Sequence, residues 1–111
     1  MTHLFLEKAK EFSSLGFEKQ AKILLVSDVN VKKHCYPLIQ AFLPKHQIIA
    51  IAPGDKNKNL ENAKAIWNRA LELNLGRNDL IIALGGGVIS DLCGFAASTY
   101  KRGITCAYIP T

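Results

Sequence analysis

From Lys22 onward the chain repeats one pattern: a short continuous apolar run, a polar break, then a longer stretch whose apolar residues recur at helical spacing. The runs Lys22-Ile23-Leu24-Leu25-Val26, Gln47-Ile48-Ile49-Ala50-Ile51, Leu80-Ile81-Ile82-Ala83-Leu84 and Thr105-Cys106-Ala107-Tyr108-Ile109 are strand-sized. The first three do not alternate with polar residues, which predicts strands buried on both faces. Between the runs, Val31, Cys35, Leu38, Ile39 and Phe42 mark a first helix face, delayed or kinked by Pro37 and ended by Pro44. Leu60, Ala63, Trp67, Ala70 and Leu71 mark a second, ended by Gly76, with Trp67 as a core anchor. Val88, Leu92, Phe95, Ala96 and Thr99 mark a third, ended by Gly103. The order β-α-β-α-β-α-β over residues 22–111 predicts a Rossmann-like α/β fold, a parallel sheet with right-handed crossovers. Residues 1–21, with Leu4, Phe5, Leu6, Ala9, Phe12 and Leu15, fit either an amphipathic helix or an irregular edge element.

A parallel sheet binds ligands at the carboxyl ends of its strands. Ser27 to Asn30, Pro53 to Lys58, Gly85 to Asp91 and Pro110-Thr111 all fall there. Gly85-Gly86-Gly87 between an apolar run and a helix start is the most telling of these. Glycines let a ligand approach the main chain closely, and unpaired amides at a helix start favour a phosphate or pyrophosphate. The motif is neither the G-x-G-x-x-G dinucleotide fingerprint nor the phosphate loop G-x-x-x-x-G-K-[ST], so a tight strand-to-helix turn competes with that reading.

Composition narrows the classes. The chain has 111 residues, one domain's worth, and it ends on a strand with no closing helix, which predicts a fragment of a longer protein. No apolar run approaches the ~20 residues of a membrane span, and no secretory signal opens the chain, so no membrane association and a cytoplasmic location are expected. The net charge of +5 is dispersed, with Lys32-Lys33 and Lys101-Arg102 the adjacent basic pairs, so nucleic acid is not an expected partner. Cys35, Cys93 and Cys106 form no C-x-x-C pair and His3, His34 and His46 lack ligand spacing, so reduced thiols and no metal site are expected within this chain.

The block from Gly85-Gly86-Gly87-Val88-Ile89-Ser90-Asp91 to Gly94-Phe95, then Ala97-Ser98-Thr99-Tyr100-Lys101-Arg102-Gly103 and Ile109-Pro110-Thr111, closely resembles the N-terminal half of 3-dehydroquinate synthase. Ser27-Asp28-Val29-Asn30-Val31 and Gly54-Asp55-Lys56-Asn57-Lys58-Asn59-Leu60 resemble that family's motifs in the same order. The resemblance implies an NAD-binding domain that a mostly helical domain follows in the complete enzyme, with residues 1–111 as the first domain alone and inactive by itself. It implies a lyase of the shikimate route to aromatic amino acids, turning 3-deoxy-D-arabino-heptulosonate 7-phosphate into 3-dehydroquinate and phosphate. A homodimer, recycled NAD, and zinc or cobalt held outside this chain complete that picture. A related sugar-phosphate cyclase, a metal-dependent polyol dehydrogenase and a short noncatalytic nucleotide-binding module are the competing readings.

Residue by residue, the resemblance implies that Asp28 and Asn30 contact the adenosine side of NAD and that Asp55 and Lys58 form a second cofactor-binding pair. It gives Gly86, Gly87 and Val88 the pyrophosphate, Asp91 a polar contact in the same site and Thr111 a place near the nicotinamide. Arg102 matches an arginine that reaches a neighbouring subunit's substrate phosphate. Each has a plainer alternative: helix capping for Asp28 and Asn30, a favourable helix-dipole position for Asp91, a surface helix end for Arg102. Asp55 stands where the family usually has glutamate, and Ser90 where it commonly has glycine, a hydroxyl able to cap the helix.

Overall fold

The computed structural model describes residues 22–111; residues 1–21, with the ambiguous N-terminal element, lie outside the described residues. The strands are β1 (Ile23–Asp28), β2 (Gln47–Ile51), β3 (Leu80–Gly85) and β4 (Thr105–Pro110). The helices between them are α1 (Val29–His34), α2 (Tyr36–Ile39), α3 (Leu60–Glu72) and α4 (Gly87–Thr99). All strand pairs are parallel and their spatial order is β2-β1-β3-β4. The expected Rossmann-like α/β architecture is therefore the one observed.

Cover on both faces explains the apolar runs of the central strands β1 and β3; β2, expected to be buried in the same way, is an edge strand and only partly buried. Leu24, Val26, Ile81 and Ala83 pack with Ala63, Ile66 and Ala70 of α3 and Ile89, Leu92, Cys93 and Ala96 of α4. Ile23, Leu25, Leu80, Ile82 and Leu84 face the other way, toward Ile39, with Val31 and Cys35 packed against them. Right-handed crossovers require this arrangement: β1 to β2 runs one way across the sheet, while β2 to β3 and β3 to β4 run the other.

Three helix faces differ from expectation. The first helix is two short pieces meeting at Cys35, because Pro37 occupies the opening turn of α2, and the break turns Leu38 and Phe42 outward. In α3 the buried face is Ala63, Ile66 and Ala70, leaving Leu60 and Leu71 exposed. In α4 it is Ile89, Leu92, Cys93, Ala96 and Ala97, leaving Phe95 and Thr99 at the surface. Helix α3 also stops before Gly76, at a left-handed Asn74 whose amide donates to the Leu71 carbonyl while the Leu75 amide donates to that of Ala70.

Candidate functional site

The strand register sets the geometry of the site. Ala50, Ser27, Leu84 and Ile109 stand side by side across β2, β1, β3 and β4. One residue further, Asp28 opposes Ile51 and Gly85 opposes Pro110. The loops after all four strands thus leave the sheet at one level. Between β1 and β3 the chain connections diverge, and such a switch point is where open α/β sheets hold ligands. Asp28 and the glycine turn flank it.

The three glycines do different work. Gly85 closes β3 with a φ of 157°, and a Cβ there would lie 3.1 Å from Cβ of Ile89, so turn geometry alone accounts for it. Gly86 is the N-cap of α4 and Gly87 its first residue, both exposed, with ordinary negative φ at Gly86 and open space where either Cβ would be. Nothing among the described residues requires glycine at those two positions. Among the described residues no side chain caps the helix, and its first internal bond runs from the Ser90 amide to the Gly86 carbonyl. The amides of Gly87 and Val88 are left pointing out of the helix start.

Ser27, expected in the loop, is instead the last residue but one of β1 and the buried polar residue of the described core. Its hydroxyl donates to the Leu84 carbonyl at 2.7 Å, pinning the strand end that leads into the glycine turn. A lone serine at a strand end carries no sequence signal for that bond. Asp28 accepts from the Val31 amide at 2.8 Å, so its capping role is realised, and Asn30 is exposed beside it.

Lys58, in the loop after β2, and Asp91, within α4, come together, Nζ to Oδ2 at 3.1 Å. They edge a groove of about 330 Å³ between the start of α3 and the first turns of α4, floored by Leu60, Ala63, Leu92 and Phe95. Asp91 lies beyond the first turn of α4, which contains no acid, so the helix-dipole explanation for it does not hold. Asp55 opens a short 3-10 turn (Asp55–Asn57) behind Gly54, exposed and with no side-chain hydrogen bond among the described residues. Ser90 is not the cap; Gly86 is. Thr111 follows Pro110 beside the glycine turn.

Arg102 is not brought to this edge. It precedes β4, at the opposite end of the sheet, in a recess of about 510 Å³ shared with Arg77, Asn78 and Thr105. Six strand residues separate the two ends, about 20 Å. Lys101 and Arg102 both hold positive φ, at 45° and 67°.

The cysteines are free, with Cys93 buried and the other two partly so. Burial pushes the Cys93 thiol far up, with neighbouring Cys106 adding to the shift. Among the described residues no three His, Cys, Asp or Glu side chains gather as a metal would need.

The family model described as 3-dehydroquinate synthase N-terminal matches residues 48–111. The chain is 41% identical over 110 residues to 3-dehydroquinate synthase of Caulobacter vibrioides, covering 96% of this chain and 30% of that protein. It is 38% identical over 112 residues to that of Ruminiclostridium cellulolyticum, covering 93% and 31%. Among solved structures it superposes on 2-epi-5-epi-valiolone synthase from Streptomyces hygroscopicus, with NAD+ and Zn2+ bound. That match has a TM-score of 0.72 and 26% identity, over 81% of this chain and 26% of that one. The fold is also that of 2-deoxy-scyllo-inosose synthase complexed with carbaglucose-6-phosphate, NAD+ and Co2+, at a TM-score of 0.79 and 24% identity over 90% and 30%. The chain thus spans about 30% of the length of the curated relatives it matches.

Proposed function

The chain belongs to the 3-dehydroquinate synthase family, and we propose that it is the NAD-binding domain of such an enzyme. The reaction proposed is conversion of 3-deoxy-D-arabino-heptulosonate 7-phosphate to 3-dehydroquinate with loss of phosphate. The observation that carries the reading is the open pair Gly86 and Gly87 at the uncapped start of α4. A dinucleotide fits there: the space a Cβ would fill is vacant, and the amides of Gly87 and Val88 supply donors for a pyrophosphate at the positive end of the helix.

In this reading Gly86, Gly87 and Val88 hold the pyrophosphate, and Asp28 and Asn30, flanking the switch point, meet the adenosine side. Asp55 contacts a ribose through a loop movement that its exposed 3-10 turn permits. Lys58 and Asp91 border the cofactor, and Thr111 lies near its nicotinamide end. Bound NAD supplies a hydride acceptor that is regenerated within each turnover. Zinc or cobalt belongs to residues outside this chain.

Arg102, about 20 Å from the glycine turn along β4, serves the substrate phosphate of a neighbouring subunit in a homodimer. The enzyme is assigned to the cytoplasm; no described helix is long and apolar enough to cross a membrane.

The test is a chimera in which this chain replaces the matching residues of the Caulobacter vibrioides enzyme. NAD-dependent phosphate release within about tenfold of the parent enzyme, with 3-dehydroquinate as product, is expected. A folded chimera that binds its metal and releases no phosphate would overturn the assignment.

A further inference from the structure

Arg102 lines its recess beside Arg77, Asn78, Ile104 and Thr105, a second cation and no carboxylate. The ion pairs of the described residues are Lys58–Asp91, Lys64–Glu61 and Arg69–Glu72, and none of them holds Arg102. Asp79, close to Arg77 in sequence, gives its two carboxylate oxygens to the amides of Lys22 and Gly76. With a like charge for a neighbour and no acid to fix it, Arg102 depends on its main chain for its position.

That main chain is strained. Lys101 and Arg102 take left-handed conformations, with φ of 45° and 67°, inside the 3-10 turn (Tyr100–Arg102) that follows α4. Residues with a Cβ disfavour that region, and two in succession persist only where their surroundings fix them. The Gly103 amide donates to the Tyr100 carbonyl at 2.7 Å and the Ile104 amide to the Ala97 carbonyl at 2.9 Å, closing the turn on its own helix. The Tyr100 hydroxyl goes further and donates to the Leu75 carbonyl at 2.8 Å. Leu75 is fully buried, and its own amide donates to the Ala70 carbonyl at the end of α3, so the acceptor is itself fixed. Tyr100 is buried as well, and burial, with the Asp79 carboxylate adding to it, raises its phenol above the ordinary value and keeps it a donor. Lys101 folds back with Nζ 5.6 Å from the centre of the Tyr100 ring, which leaves Arg102 as the cation of the turn that lines the recess.

We propose that Tyr100 is a positioning residue for Arg102: its buried ring and its bond to Leu75 peg the left-handed turn to the end of α3 and hold the guanidinium at the recess with its donor fork free. A carboxylate partner would fix the arginine too, but it would occupy the fork that a phosphate needs. This rests on the role given to Arg102 above for its ligand, while the peg is a property of the ligand-free chain.

Two measurements test it. In the ligand-free chain, backbone amide order parameters of residues 101–103 are expected to fall from about 0.85 toward 0.6 in Tyr100→Phe, which keeps the ring and loses the donor, while those of residues 87–99 stay high. Unchanged values at residues 101–103, or an equal fall throughout α4, would overturn the peg whether or not Arg102 serves a substrate. In the chimera described above, Tyr100→Phe is expected to raise KM for 3-deoxy-D-arabino-heptulosonate 7-phosphate about five-fold, with kcat and the KM for NAD each within about two-fold of the unaltered chimera. Adding Tyr100→Phe to Arg102→Met is expected to lower kcat/KM by no more than about two-fold beyond Arg102→Met alone. Multiplying losses would mean that Tyr100 acts other than through Arg102, and a matching rise in KM for NAD would mean a general loosening; either result overturns the proposal. A chimera that releases no phosphate before any substitution counts against the proposed reaction and leaves the order parameters to decide the peg.

Discussion

At the scale of residues, three adjacent glycines separate into structure and site. Gly85 is fixed by its φ of 157° and by Ile89 at 3.1 Å from the place of a Cβ, whereas Gly86 and Gly87 face open space. Gly85→Ala is therefore expected to cost about 1–3 kcal/mol of stability, seen as a lowered thermal midpoint. Gly87→Ala is expected to leave stability unchanged or raise it by up to about 1 kcal/mol, since alanine is the better helix former, while weakening NAD at least about tenfold. Denaturant unfolding and calorimetry on the same two variants separate these outcomes; a Gly87→Ala chain that binds NAD normally would remove the cradle. The sequence made the triplet conspicuous, but three identical letters could not say which glycine serves the turn. Ser27 was hidden for a related reason: its bond to the Leu84 carbonyl depends on β1 and β3 being neighbours in register.

At the scale of elements, all four strands were legible as short apolar runs, which cover on both faces explains for β1 and β3, while the edge strands β2 and β4 are only partly covered. Helix existence was legible too, and helix faces less so. Leu38 and Phe42 continue the spacing of Val31 and Cys35 on paper, yet the break at Cys35 ends the continuous turn on which that spacing depends. Phe95 and Leu60 are apolar for another purpose, as the floor of the groove beside Lys58 and Asp91. Trp67 joins α3 to α4: its indole N–H donates to the Ala96 carbonyl and to the Thr99 hydroxyl, both at 3.1 Å, and its ring packs 6.0 Å from that of Phe95. Trp67→Phe keeps the packing and loses the donor, so a loss of about 1 kcal/mol is expected in equilibrium unfolding. A loss below about 0.3 kcal/mol would show that the helices are held by apolar contact alone.

At the scale of the whole molecule, strand order was beyond the sequence, since periodicity carries no information on which strands are neighbours. The order β2-β1-β3-β4 supplies the switch point that the glycine turn and Asp28 flank. It also sends Arg102 to the far end of the sheet, where a role in this chain's own cleft is geometrically closed. The buried face of α4 has a further consequence for pH. Burial raises the Cys93 thiol, with Cys106 adding to it, and burial likewise raises Cys106 and Tyr100. Each proton is held more tightly in the folded than in the unfolded chain, so this stability is whole below the unfolded thiol value of about 8.5 and is lost as pH rises above it. The thermal midpoint is expected to be level near pH 7–8 and to fall progressively above about pH 9, less steeply in Cys93→Ala. A midpoint indifferent to pH up to about 10.5 would contradict the burial argument.

The central claim is that a dinucleotide rests on the opening turn of α4. Amide spectra of the chain titrated with NAD test it most directly. The account predicts saturable shifts in the millimolar range, largest at Gly86, Gly87 and Val88 and abolished by Gly87→Ala. Saturable shifts centred elsewhere, or none at those three amides, would contradict it.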